Sequence, residues 1–164
     1  MEFIARTQLT GTAASVSFAT GLSGYTKFFL WVYVVKDANV GEVRLRLNND
    51  SGANYATQSM DANGATISAS RATGVTYSGI LGVYANIAAN GTMLAVVEIS
   101  KPVAGEVARI TGRNGRDAET VGIRFETNAS EWTNTADLIN RIDVYAVTNN
   151  ITTGSRFLLA GSRD

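Results

Sequence analysis

Short stretches in which apolar and polar residues alternate one by one, each closed by Gly, Asn, Asp or Ser, constrain this chain more than any other feature. Across 42–47, Val43, Leu45 and Leu47 fall on one side of an extended strand, and Glu42, Arg44 and Arg46 on the other. Val121, Ile123 and Phe125 repeat the pattern against Arg124 and Glu126. Side chains that change face at every residue suit half-solvated antiparallel strands. Further candidates lie near 3–9, 14–18, 27–36, 75–83, 92–100, 106–111, 138–147 and 155–160. Turn signals between them include Asn63-Gly64, Asn90-Gly91 and Asn114-Gly115. Pro102 cannot continue a ladder and predicts a loop after the strand ending near Ser100. No apolar pattern of helical period is long enough for a helix, and 84–89 is left open as a helical turn. The expectation is an all-β fold, an antiparallel sandwich or barrel of about ten short strands.

With 164 residues, 45% of them hydrophobic, the chain can bury one substantial core, so 1–164 is read as a single domain. No apolar run approaches the roughly 18 residues that cross a bilayer, and Met1-Glu2-Phe3-Ile4 lacks the basic start of a signal peptide. A soluble protein with no membrane partner is expected. Lys plus Arg and Asp plus Glu number 14 each, so no overall field draws in nucleic acid. The chain has no Cys and no His, which removes disulfides, thiol nucleophiles, Cys/His zinc sites and triads with an imidazole base. Carboxylate pairs, Ser-Lys dyads and oxygen ligands for calcium survive this cut.

Each survivor has a plainer explanation. Asn48-Asn49-Asp50-Ser51-Gly52 loosely echoes a calcium loop, but counted from Asn48 the glycine falls fifth and the twelfth residue is Ser59. Short Asn and Asp side chains bond their own backbone and tolerate tight bends, so the cluster reads as a turn. Ser100 and Lys101 are strand neighbours and point to opposite faces. Glu98 and Glu126 would need a separation of about 5 to 9 Å to act as a glycosidase pair. Arg109, Arg113 and Arg116, in and beside Thr111–Asp117, could grip phosphate or a sulfated sugar, but with Asp117 and Glu119 beside them the stretch reads as a mixed-sign solvated loop with a hairpin tip at Asn114-Gly115. Tyr55, Tyr77, Tyr84, Trp132 and Tyr145 are available for a sugar-binding face, though core packing uses such residues more often. No catalytic residue, cofactor or metal is expected.

The stretch Lys27-Phe28-Phe29-Leu30-Trp31-Val32-Tyr33-Val34-Val35-Lys36 breaks the alternation. Phe29, Trp31 and Tyr33 share one face, while Phe28, Leu30, Val32 and Val34 share the other, and both faces are apolar. In a sandwich the aromatic face then needs a cover, from an intrachain loop or strand or from a neighbouring subunit.

Several segments in order resemble small β-sandwich proteins that recur in tailed bacteriophages as virion accessory proteins. Ala13–Phe18 followed by Gly24-Tyr25-Thr26 resembles the family's opening strands. Leu45-Arg46-Leu47-Asn48-Asn49-Asp50-Ser51-Gly52-Ala53-Asn54-Tyr55 is similar to its most recognisable segment. Glu98-Ile99-Ser100-Lys101-Pro102 resembles its strand exit. Trp132 with Thr135, Ala136, Ile139 and Ile142 resembles its approach to a late strand, and Gly154–Gly161 its closing strand, with Ser162-Arg163-Asp164 as a departure. The resemblance implies a jelly-roll-like β-sandwich in the virion, without catalytic residues. A chain of only this module suits a capsid decoration, or cement, protein that binds the major capsid protein and itself, as a homotrimer by analogy. The alternative is a tail-associated, receptor-binding module that recognises host glycans. The expected contact residues are Phe29, Trp31 and Tyr33, with Phe3 and Ile4 near the N-terminus and Phe157 and Leu158 near the C-terminus.

Overall fold

A computed structural model describes residues 1–35, 42–78, 81, 91–101, 103–118 and 122–163. Those residues form eleven strands: β1 (Glu2–Gln8), β2 (Ser15–Phe18), β3 (Lys27–Val35), β4 (Val43–Leu47), β5 (Tyr55–Asn63), β6 (Thr66–Val75), β7 (Thr92–Ser100), β8 (Ala108–Ala118), β9 (Gly122–Trp132), β10 (Ile142–Ala146) and β11 (Arg156–Ser162). They make an eight-stranded sheet, β1-β11-β3-β7-β8-β9-β5-β6, and a three-stranded sheet, β2-β10-β4, both antiparallel. The architecture is thus an open, sandwich-like pair of sheets and not a closed barrel. Strands β1 to β4 alternate between the two sheets, and β10 and β11 do so again. This wrapping, β1-β11-β3-β7 over β2-β10-β4, is jelly-roll-like. Two hairpins, β5–β6 and β8–β9, add four strands beyond β7.

Alternation explains the core. Phe28, Leu30, Val32 and Val34 of β3 and Met93, Ala95, Val97 and Ile99 of β7 point toward the small sheet, which answers with Val16, Phe18, Val43, Leu45, Leu47, Ile142 and Val144. Each such large apolar side chain contributes about 1.5–3 kcal/mol on burial. Tyr55 and Trp132 stack at 6.5 Å between ring centroids, and the Tyr55 hydroxyl accepts the Leu47 amide at 2.9 Å, which ties β5 to β4. Burial pushes the Tyr55 hydroxyl pKa up, beyond the ordinary phenol range. At Gly161 a Cβ would meet the Tyr25 ring at 2.5 Å and the Ile4 side chain at 2.8 Å, so only glycine leaves room for both to pack over β11.

The hairpin β5–β6 replaces a region where only a turn was expected. Asn63 pairs with Thr66 across a two-residue loop, Gly64-Ala65, with Gly64 at φ 59°, as hairpin turns with glycine at the first central position require. The expected strand at 75–83 is not seen in the described residues: β6 ends at Val75, and Ser78 bridges Leu45. Thr111–Asp117 is strand and not loop. Asn114 pairs with Ala95 and Glu126, and Gly115 with Leu94 and Phe125, so this Asn-Gly lies inside β8 and is no hairpin tip. In 138–147 only Ile142–Ala146 is strand. The expectations for Asn90, Pro102 and 84–89 lie outside the described residues.

Candidate protein interface

The two apolar faces of β3 meet different fates. Phe28, Leu30, Val32 and Val34 are sealed in the core, whereas Phe29, Trp31 and Tyr33 lie on the outer face of the large sheet, turned away from the small one. Phe29 and Trp31 stack at 6.4 Å and are half-buried against their own sheet, while Tyr33 is exposed. Register extends this apolar surface sideways. Tyr33 pairs with Leu94, Leu94 with Gly115, Gly115 with Phe125, Phe125 with Ala62 and Ala62 with Ile67, a row crossing six strands. Leu94 is 58% exposed and Ile67 72%, so none of the described residues covers these two positions of the row. A second row runs from Leu158 through Trp31 and Val96 to Arg113, Thr127 and Met60. Exposed Glu98, Arg109 and Arg113 lie among and beside these residues.

The other expected contact residues separate. Phe3 is exposed on the same outer face, opposite Ala160, and Leu158 is half-buried beside Trp31. Ile4 packs partly against the core. Phe157 is 1% exposed and points into the core, which removes its side chain from any surface contact. The alternation that puts Leu158 outside puts Phe157 inside. Sequence reading missed Leu94, Val96, Phe125, Met60 and Ile67. Met93-Leu94-Ala95-Val96-Val97 carried the same two-faced apolar signal as β3, whereas Met60 and Ile67 stand alone among Ser, Thr and Ala.

The inner face of the added hairpins is polar. Arg116 of β8 reaches Glu126 of β9 at 3.3 Å and Asp61 of β5 at 3.6 Å, and Arg124 grips the Asp61 carboxylate through Nε at 2.7 Å. Asp61, Asn114, Arg116, Glu126 and Asn128 are all buried. Burial pushes the Glu126 carboxyl up, and the Arg116 charge and hydrogen bonds from Asn114 and Arg116 offset this only in part. Arg116 is therefore an interior ion-pair partner and not a loop residue, while Arg109 and Arg113 are exposed on the outer face. Glu98 is exposed on the outer face and Glu126 faces inward, so the sheet separates them and they form no catalytic pair.

Asn48 and Asn49 adopt left-handed φ values of 51° and 54° and make the bend. Asp50 accepts the Gly52 amide at 2.8 Å, the Asn54 amide at 2.9 Å and the buried Trp132 indole N–H at 2.6 Å. Three N–H donors thus take most of the carboxylate's acceptor sites, as the turn reading requires. The Asn48 side chain clasps the irregular segment before β10, donating to Leu138 O at 2.8 Å and accepting from Asn140 N at 2.9 Å.

Lys101 is buried, donates to Asn134 O at 2.7 Å and stands 4.6 Å from the Trp132 ring centroid. Tyr55 and Trp132 belong to the core, and Tyr77 and Tyr145 lie beneath the Arg44 and Arg46 guanidinium groups at 3.5 and 4.6 Å. Tyr84 lies outside the described residues. A groove of about 450 Å3 lies on the outer face, its floor including Ala56, Thr111 and Ala129 and its walls Gln58, Arg71, Arg109 and Glu131. No protein-family model matches this sequence, and it matches none of the curated proteins compared with it.

Proposed function

We propose that the protein is a structural accessory protein of a bacteriophage particle that binds the capsid shell through the outer face of its large sheet. It works by mass action, without a chemical step. The observation that carries this reading is the uncovered row Tyr33, Leu94, Phe125 and Ile67, beside Phe29 and Trp31. Monomeric proteins seldom expose a contiguous apolar surface of this kind unless something binds it. Covering such a surface yields about 25 cal/mol per Å2, and a standard interface buries roughly 800 Å2 on each partner. The sequence resemblance supplies the virion setting, with the major capsid protein as partner.

Electron cryomicroscopy of the intact particle tests this directly. Density for the fold over the capsid shell, its large sheet against the capsid protein, is the expected result; absence from the shell would sink the proposal. One observation favours the alternative, a tail-associated module that recognises host glycans: the groove walled by Gln58, Arg71, Arg109 and Glu131 is of a size to take a sugar. Location at the tail tip alone, with glycan binding lost in Arg109→Ala, would select that reading.

A further inference from the structure

β6 is the last strand on its side of the large sheet, and Thr66–Arg71 are exposed on both faces. Sheets normally shield such edges with charge, proline, a bulge or a cover. The opposite edge is shielded: β1 carries Glu2, Arg6 and a bulge between Phe3 and Ala5, and Glu2 is held by the Tyr25 hydroxyl at 2.7 Å and Arg163 at 3.3 Å. From Thr66 to Thr73, β6 has one charge, Arg71, and no proline, and its ladder with β5 is regular until it skips Gly74, at φ 65°.

The hairpin fixes which backbone groups of this edge are free. In an antiparallel ladder every second residue turns its N–H and C=O away from its partner. The two-residue loop makes Asn63 and Thr66 the hydrogen-bonded closing pair, so Ser68, Ser70 and Ala72 bond to β5. Ile67, Ala69, Arg71 and Thr73 then present their amides and carbonyls outward.

We infer that this edge pairs with the β6 edge of a second copy of the chain, antiparallel about a two-fold axis, so that one sheet runs through both molecules. The partner must offer a free and largely uncharged edge. β6 itself does and β1 does not, which favours a closed two-fold contact over a head-to-tail chain of molecules. The register that uses all four free residues sets Ile67 against Thr73 and Ala69 against Arg71 of the other copy. Each arginine then faces an alanine, and no like charges stand directly opposite. The contact uses the sheet edge and leaves the apolar outer face open, so it does not rest on capsid binding.

Sedimentation equilibrium and hydrogen exchange test the pairing on the full chain. The Ala69 side chain is exposed and its N–H is unused within the fold, so substitutions there leave the monomer folded. Wild type is expected at twice 17.4 kDa. Ala69→Lys, which places a second cation opposite Arg71, weakens the dimer at least about 100-fold, whereas Ala69→Glu leaves it as tight or tighter. In the dimer the amides of Ile67, Ala69, Arg71 and Thr73 exchange slowly and become fast in Ala69→Lys, while those of Ser68, Ser70 and Ala72 change little. A wild type monomeric at millimolar concentration overturns the inference. So does a dimer or trimer indifferent to Ala69→Lys, or the lack of an alternating exchange pattern.

Discussion

Asp50 shows how one side chain can hold three pieces of the molecule at once. Its carboxylate closes its own turn through Gly52, fixes Asn54 at the start of β5 and satisfies the indole N–H of Trp132, whose ring is fully buried. Asp50→Ala would leave that N–H without its acceptor, and a loss of about 1–3 kcal/mol is expected in urea unfolding at pH 7. Partial burial works against the charge, but the hydrogen bonds from Trp132, Asn54 and Gly52 outweigh it and hold the Asp50 pKa below the ordinary aspartate value. The sign follows: its contribution is present in full above the unfolded aspartate pKa and fades as pH falls through the lower folded one. Asp50→Asn should lack that part of the acid dependence. The bend itself was legible, because Asn48 and Asn49 are residues that tolerate positive φ. The partner was not, since Trp132 lies 82 residues away in sequence.

Among the elements, β3 was legible in full and β6 hardly at all, and burial explains the difference. β3 packs a core on one face, so apolar residues repeat at every second position. Most of β6 is exposed on both faces, so Ser, Ala and Thr carry no alternation to read. β8 misled for another reason: Asn114 and Arg116 look like loop residues, yet their polarity serves an interior network with Glu126 and Asp61. Removing the central cation should be severe. Arg116→Met leaves Asp61 and Glu126 as cross-strand neighbours without it, at an expected cost of about 3–5 kcal/mol near neutrality. The loss should shrink in acid, since burial raises the Glu126 pKa above 4.5 and a protonated carboxyl needs no counter-charge. In wild type the same shift means that Glu126 favours folding most below pH 4.5 and progressively less as pH rises toward its folded pKa. Urea unfolding across this range checks both signs. The double variant Arg116→Met/Glu126→Gln should lose less than the sum of the single losses.

The whole molecule is lopsided: a jelly-roll-like core lies where three strands cover part of an eight-stranded sheet, and two hairpins carry that sheet onward with an apolar outer surface. Equal numbers of acidic and basic residues leave no net charge to steer a partner. Binding through the row Tyr33, Leu94, Phe125 and Ile67 should therefore depend on area removed from water rather than on charge. Titration calorimetry with isolated capsid shells should give a negative heat-capacity change and an affinity that moves less than about threefold between 50 and 500 mM salt. Leu94→Lys and Phe125→Lys place charges in the middle of the row, where a desolvated interface cannot accommodate them, and should abolish binding. Both side chains are substantially exposed, so unfolding free energies should stay within about 0.5 kcal/mol of wild type. A steep salt dependence, or unchanged binding by both variants, would move the contact off the apolar row and onto charged residues beside it, such as Arg109 and Arg113.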